Sequence, residues 1–162
     1  MIISNATPLI AFARIGQLEL LRKIVENLII PQAVADEISE YTQTTQTKRG
    51  VINLSQEEWI TVQSLHSQQR VRLLLPTLDR GEAEVIALAL ERQARLVLID
   101  ELTGRKVAES LNLNVSGSVG ILIRAKQMGE IPAIKPFLEE MKKQGVYFSQ
   151  RFVDAVLYQL GE

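Results

Sequence analysis

Residues 78–101, LDRGEAEVIALALERQARLVLIDE, constrain the fold most because they join a nearly apolar helix to a buried strand. Asp79 and Glu82 have the spacing of a helix N-cap and its capping-box partner, which predicts that a helix begins here. Between residues 83 and 90 only Glu84 is polar, so the helix is expected to be largely buried. Its polar stripe is predicted to consist of Arg80, Glu84 and Glu91.

A short apolar run, LVLI at residues 96–99, follows this helix and ends on Asp100. Such a run is typical of a strand covered on both faces. Short apolar runs alternate with helical segments elsewhere, so we expect one α/β domain over residues 1–162 with a mostly parallel sheet. The other predicted strands are 1–4, 28–30, 59–62 and 113–115, and the other predicted helices are 9–15, 18–25, 31–41, 64–75, 103–111, 119–128, 133–144 and 149–160.

One segment departs from this alternation. Residues 42–49, TQTTQTKR, are polar and of low complexity. Segments of this composition bury too little apolar surface to fix one conformation, which predicts an exposed, mobile loop here.

The composition excludes several classes of function. The 162 residues carry a net charge of −1, so overall charge does not indicate a nucleic-acid partner. The chain has no cysteine and one histidine, which removes thiolate metal sites and nearly removes histidine-based triads. The chain start resembles no signal peptide, and no apolar run approaches the roughly 18 residues of a membrane span. We therefore expect a cytoplasmic protein without a membrane segment.

Three acids fall on positions that the patterns place inward, near the ends of elements. Glu37 lies among the apolar positions of its helix, Glu82 begins the central helix, and Asp100 follows the buried strand. The carboxyl ends of strands in an open α/β sheet are where chemistry is placed. Carboxylates gathered without histidine or cysteine favour Mg²⁺ or Mn²⁺. Such centres activate water and stabilise charge on a phosphodiester, as in many nucleases.

Structural explanations exist for each acid taken alone. Glu82 closes a capping box, Glu37 pairs with an arginine at the rim, and Asp100 caps the next helix. The presence of three acids in this arrangement favours a metal site over these separate structural roles. Among other residues, Arg105 either meets a phosphate or pairs with an acid, with pairing slightly favoured. Ser118 either caps the following helix or holds substrate or water.

Six short motifs follow one another along the chain: SNATPLI at 4–10, VADEI at 34–38, GEAEVIALA at 81–89, LVLIDE at 96–101, GRKVA at 104–108 and SGSVGIL at 116–122. The order of the first four resembles the PIN-domain superfamily, and the last two resemble a prokaryotic PIN-like subfamily related to VapC-type toxins. The resemblance covers essentially the whole chain and implies a three-layer α/β/α fold with helices on both faces of the sheet. It also implies an Mg²⁺- or Mn²⁺-dependent endoribonuclease, often the toxin of a toxin–antitoxin pair, and a homodimer.

The family's acids, carried over residue by residue, fall on Asn5, Glu37, Glu82 and Asp100. These four would be both the metal ligands and the catalytic residues. Asn5 departs from the pattern, since the first position is usually an aspartate and an amide oxygen brings no charge. Two charges about 4 Å apart interact by roughly 4 kcal/mol at an effective dielectric near 20, so metal affinity should suffer. Beside the metal ligands, the residues expected to bind substrate are Thr7, Arg105 and Ser118.

Three classes of function follow. The first is a metal-dependent ribonuclease that cuts RNA, for which the family resemblance implies a small antitoxin protein as a partner. The second is a PIN-fold protein that has weakened or lost catalysis through Asn5 and binds RNA or protein. The third, a small-molecule phosphatase or nucleotide enzyme, lacks a glycine-rich phosphate loop or a nucleophile motif and is remote.

Overall fold

Five parallel strands form the centre of the computed structural model, which describes residues 1–45 and 50–162. The order across the sheet is β3-β2-β1-β4-β5, and every pair of neighbours is parallel. This confirms the expected α/β fold, with a sheet that is wholly rather than mostly parallel. The strands are β1 (Ile2–Ser4), β2 (Leu28–Pro31), β3 (Ile60–Gln63), β4 (Leu96–Leu98) and β5 (Val115–Ser116).

Nine α-helices within the described residues pack around this sheet, together with one 3-10 turn, Leu54–Gln56. None of these helices has the length and hydropathy that crossing a bilayer requires. The helices are α1 (Ala6–Arg14), α2 (Leu18–Val25), α3 (Gln32–Thr44), α4 (Gln69–Leu74), α5 (Arg80–Arg92), α6 (Leu102–Ser110), α7 (Ser118–Gln127), α8 (Lys135–Lys143) and α9 (Gln150–Gln159).

Helix α5 is the most buried helix of the fold, as its composition predicts. Every residue from 81 to 89 is buried, and the helix packs against β1, β2, β4, α3 and α4. The predicted polar stripe is wrong at Glu84, which is 7% exposed. Its Oε1 accepts a hydrogen bond from the Ala33 N–H at 3.2 Å, and its Oε2 lies 3.5 Å from the Arg80 guanidinium. Glu84 therefore occupies the N-terminus of α3, where the helix dipole favours a negative charge.

Helix α1 begins at Ala6, because Asn5 is extended (φ −74°, ψ 170°) and serves as its N-cap residue. The expected helix over 9–15, with Pro8 in its first turn, thus starts two residues before Pro8. Helix α3 continues to Thr44 instead of ending at Tyr41. The hydroxyl of Thr42 donates to the Ile52 carbonyl and accepts from its N–H, which holds this last turn. The loop predicted for 42–49 is thus helical over 42–44, and residues 46–49 lie outside the described residues.

Helix α4 is shorter than the predicted 64–75, since it begins only at Gln69. The N–H groups of His66 and Ser67 donate to the carboxylate of Glu91 on α5 instead of entering a helical turn. His66 is exposed, as expected. The remaining elements agree with the predicted ones to within one or two residues.

Candidate functional site

The carboxyl ends of β1, β4 and β5 place three turns side by side at one edge of the sheet. Ser4 is in register with Leu98, and the Asn5 N–H donates to the Leu98 carbonyl at 2.9 Å. The Ile99 N–H donates to the Ser116 carbonyl at 2.9 Å. Because α1, α6 and α7 each start just beyond these strands, the side chains of Asn5, Asp100 and Ser118 meet the same edge.

Asn5, Glu37 and Asp79 converge on Gly81 in the first turn of α5. A methyl group built on Gly81 would lie 3.2 Å from Asn5 Oδ1, 3.2 Å from Glu37 Oε2 and 3.5 Å from Asp79 Oδ1. Three oxygens from three elements therefore surround the space that the missing side chain leaves.

The amide oxygen of Asn5 is the unusual atom of this group. Asn5 is 4% exposed, and its Oδ1 has no hydrogen-bond partner among the described residues. Buried polar atoms are nearly always paired, because an unpaired one retains its desolvation cost of about 1–3 kcal/mol. An acceptor left unpaired beside carboxylate oxygens is suited to a cation and cannot be satisfied by another acceptor.

Glu82 lies on the neighbouring face of α5, against α6. Its N–H donates to Asp79 Oδ1 at 2.8 Å, which confirms Asp79 as the helix N-cap. Its carboxyl oxygen Oε2 faces Gly104, where an added methyl group would lie 3.1 Å away. Burial, a hydrogen bond to the Asp79 carboxylate and the charges of Asp79, Glu101 and Glu37 raise the pKa of Glu82 to about 7. Glu82 is therefore an acid whose proton exchanges near neutral pH.

The carboxyl group of Glu37 points inward, as predicted, but the residue does not lie at an element end. It lies in the middle of α3 and is exposed as a residue. Its long side chain nevertheless carries the carboxyl group to Gly81. Partial burial there, followed by the charges of Asp79 and Glu40, raises the pKa of Glu37 above its usual range. The aliphatic part of the Glu37 side chain is thus exposed to solvent, whereas its carboxyl group is partly shielded.

Asp100 is held by the start of α7. The Ser118 N–H donates to Asp100 Oδ1 at 2.7 Å, and the Ser118 hydroxyl donates to Oδ2 at 2.6 Å. Burial raises the pKa of Asp100, and these two hydrogen bonds and the Arg105 charge only partly offset that increase. Asp100 therefore caps α7, not the following helix α6, and Ser118 anchors Asp100 instead of capping its own helix.

Arg105 lies beside this anchored acid, whereas Thr7 belongs to the start of α1. The Arg105 guanidinium donates from Nη1 to the Ile99 carbonyl at 3.0 Å, and its charge lowers the pKa of Asp100. The favoured pairing with an acid is thus a charge interaction without direct contact, since no ion pair joins Arg105 to a carboxylate in the described ranges. Thr7 is half-buried in the first turn of α1. The substrate roles of Thr7, Arg105 and Ser118 stay predictions.

The comparison with protein families bears on the whole chain. A family profile described as PIN domain (DUF3368) matches residues 1–162. The chain belongs to the PIN-domain family. PIN domains are typically nucleases and generally use divalent metal ions. Comparisons with curated proteins and with solved structures gave no match.

The residues present in this PIN domain fit a divalent cation, although they do not form a closed ligand set. Within residues 1–45 and 50–162, no three Asp, Glu, His or Cys side chains converge closely enough to hold an ion. One of the converging oxygens belongs to the amide of Asn5, and both oxygens of Asp100 face Ser118. Carboxylates also repel one another when no cation lies between them. The unpaired Asn5 oxygen and the all-oxygen donors match the preference of Mg²⁺ and Mn²⁺.

The acids divide into two groups along the edge of the sheet. The pKa of Glu82 responds to Asp79, Glu101 and Glu37, whereas the pKa of Asp100 responds to Ser118 and Arg105. Sequence reasoning proposed no site role for Asp79, because the N-cap pattern fully accounted for it. It also missed the close approach of Gly81, for which the only sequence signal was a glycine inside a predicted helix.

Proposed function

We propose that this PIN domain is an Mg²⁺- or Mn²⁺-dependent endoribonuclease that hydrolyses phosphodiester bonds in RNA. The observation that carries the proposal is the buried, unpaired Oδ1 of Asn5, which faces the same space as the Glu37 and Asp79 oxygens. The predicted ligands are Asn5, Glu37, Glu82 and Asp100. A bound divalent ion supplies Lewis-acid polarisation of the phosphoryl oxygen and lowers the pKa of its water.

The side chains of the site prepare this chemistry in different ways. The pKa of Glu82 is raised to about 7, so Glu82 would release a proton if it held the cation as a carboxylate. Ser118 fixes the orientation of Asp100 through two hydrogen bonds. Arg105 is fixed to the Ile99 carbonyl beside that acid and directs a positive charge to the edge where a phosphate would arrive.

Exposed cations near the starts of α5 and α6 support a polyanionic substrate. Arg80 and Lys106 are exposed at these helices, as are Arg70 and Arg72 on α4, which packs against α5. Phosphate contacts position a nucleic acid without reading its sequence. These exposed cations provide a local positive charge, whereas the net molecular charge of −1 does not by itself attract RNA.

Cleavage of a labelled RNA with Mn²⁺, with Mg²⁺ and with EDTA tests the proposal. We expect metal-dependent cleavage in the parent and at least ~100-fold slower cleavage in Glu82→Gln and Asp100→Asn. Glu109→Gln is the matched control, since Glu109 is exposed at the far end of α6. If both site variants cut as fast as the parent, the assigned residues are wrong. Cleavage that persists in EDTA would contradict metal dependence.

A second function is favoured by Asn5 itself, because an amide contributes no charge to a cation centre. In this alternative the PIN fold binds RNA or a protein and has weakened or lost cleavage. Asn5→Asp then creates or increases cleavage in an otherwise inactive parent. Equal cleavage by the parent and Asn5→Asp leaves the alternative without support.

The toxin role, the antitoxin partner and the homodimer belong to this same proposal and derive from the family resemblance. A toxin of this kind stops growth when it is expressed alone, and a small co-expressed antitoxin relieves the effect. Growth after induced expression of the parent and of Asp100→Asn distinguishes toxicity by cleavage from toxicity by overproduction. Sedimentation velocity tests the dimer. A monomer at concentrations that support cleavage contradicts a functional homodimer.

A further inference from the structure

Asp79 lies at the candidate cation centre but has so far only the role of starting α5. We propose that Asp79 is a direct oxygen donor to the cation, beside Asn5 and Glu37, and that its charge replaces the one that the Asn5 amide lacks. The inference rests on the proposed function and names a further ligand of its metal centre.

The geometry around Gly81 carries this assignment. Asp79 Oδ1 lies 3.5 Å from the position of the missing Gly81 side chain, and Asn5 Oδ1 and Glu37 Oε2 each lie 3.2 Å from it. Asn5 is 4% exposed and its Oδ1 is unpaired in the part of the chain that the structure describes. The buried amide oxygen is therefore aimed into a space that two carboxylate oxygens also border.

The charges at this point are unbalanced. Asp79 and Glu37 each direct a carboxylate oxygen to the space beside Gly81, so their negative charges repel each other there. The nearest cation along the chain, Arg80, forms its ion pair with Glu84. A divalent ion bound beside Asp79 relieves this repulsion, which neither the amide of Asn5 nor Arg80 does.

The capping bond and the hydrogen bond from the Glu82 side chain leave further acceptor capacity on Asp79. The cap needs one hydrogen bond, from the Glu82 N–H to Oδ1. A carboxylate has two oxygens with about four lone-pair positions, so it can cap the helix and bind a cation together. Asparagine caps a helix about as well as aspartate, which separates the two roles experimentally. Asp79→Asn keeps the shape and the cap while it removes only the charge.

Calorimetric titration of Mn²⁺ into the metal-free protein tests the inference, on the parent, on Asp79→Asn and on the double variant Asn5→Asp/Asp79→Asn. We expect Asp79→Asn to bind Mn²⁺ at least ~10-fold more weakly than the parent. Its midpoint of thermal unfolding without metal should match the parent, because the cap is kept. The double variant restores the charge on the neighbouring oxygen and should regain at least ~10-fold in affinity.

The outcomes separate this inference from the proposed function. An unchanged Mn²⁺ affinity in Asp79→Asn overturns Asp79 as a donor, and so does a parent that binds no Mn²⁺. A double variant as weak as Asp79→Asn overturns the replacement of charge. A parent that binds Mn²⁺ in the expected way but cuts no RNA overturns the nuclease proposal and leaves Asp79 assigned as a ligand.

Discussion

Gly81 shows how a single missing side chain shapes the candidate centre. It occupies the second position of α5, a buried turn where a helix former such as alanine would be favoured. Its hydrogen atom instead leaves room between Asn5 Oδ1 and Glu37 Oε2. At the residue scale, the candidate site thus depends on the space that Gly81 leaves as much as on the acids around it.

We expect Gly81→Ala to separate stability from cation binding. The free energy of unfolding should change by no more than about 1 kcal/mol, because the close contacts of the new methyl group offset the helix preference of alanine. The new methyl group lies 3.2 Å from both oxygens and displaces them, so Mn²⁺ affinity should fall by ~10-fold or more. Urea unfolding and calorimetry of the same preparation measure both quantities. An affinity equal to that of the parent would show that the cation binds elsewhere.

At the scale of elements, Glu84 connects two helices that carry the site. Its carboxylate lies at the N-terminus of α3, the helix that presents Glu37, and it projects from α5, the helix that begins with Asp79 and Glu82. Glu82 and Glu84 are two residues apart on one helix, yet one faces the candidate centre and the other faces a helix end. The pair therefore offers a comparison of a candidate ligand with an acid that connects two helices.

We expect Glu84→Ala to lower the free energy of unfolding by ~1–3 kcal/mol, since it leaves the Ala33 N–H without an acceptor and frees the Arg80 charge. Glu84→Gln keeps an acceptor for that N–H, so its free energy of unfolding should fall by less. Urea unfolding at pH 7 measures both variants. The alanine variant should still bind Mn²⁺ under folding conditions. If its loss of stability equals that of an exposed control such as Glu109→Ala, the contact with α3 contributes nothing.

Local pattern predicted the elements of this fold well, and contacts between distant segments explain where it failed. The buried helix and the apolar strand runs follow from periodicity, which is a property of neighbouring residues. Glu84 was assigned to a polar stripe because its partner, Ala33, lies 51 residues away in sequence. Likewise, Ser118 reaches Asp100 across 18 residues, so sequence indicated a serine at a helix start but not its acceptor. Residue type was enough to nominate candidate ligands, whereas the pairing of their side chains could not be predicted.

At the scale of the whole molecule, the partial burial of the last helix is supplemented by polar contacts just beyond its end. No residue of α9 is fully buried, although several pack on the core. Just beyond it, Glu162 accepts hydrogen bonds from the N–H groups of Ile134 and Lys135 at the start of α8 and from Lys126 Nζ on α7. One carboxylate thus connects the end of α9 to two other helices, away from the carboxyl edge of the sheet that carries the candidate site.

This attachment should make the stability of the protein sensitive to acid. Burial would raise the pKa of Glu162, but the hydrogen bonds from Ile134, Lys126 and Lys135 outweigh it, and its pKa lies below the ordinary value of 4.5. A folded-state pKa below the unfolded one stabilises the fold above the unfolded value, and that stabilisation disappears as the pH falls through the folded value. We expect Glu162→Gln to lower the free energy of unfolding by ~1–3 kcal/mol at pH 7 and by less at pH 3.

Urea unfolding of the parent and of Glu162→Gln between pH 7 and pH 3 measures this difference, with Glu139→Gln as the control on the exposed face of α8. The control should follow the parent at every pH, because its carboxylate does not join helices. Mn²⁺ affinity at pH 7 should be the same in all three proteins, since the Glu162 contacts lie apart from Asn5, Glu37 and Asp79. A difference between parent and Glu162→Gln that stays constant with pH would show that the charge of Glu162 is not what stabilises the junction. A change in Mn²⁺ affinity would show that the position of α9 is coupled to the sheet edge, and the two regions could then not be treated as independent.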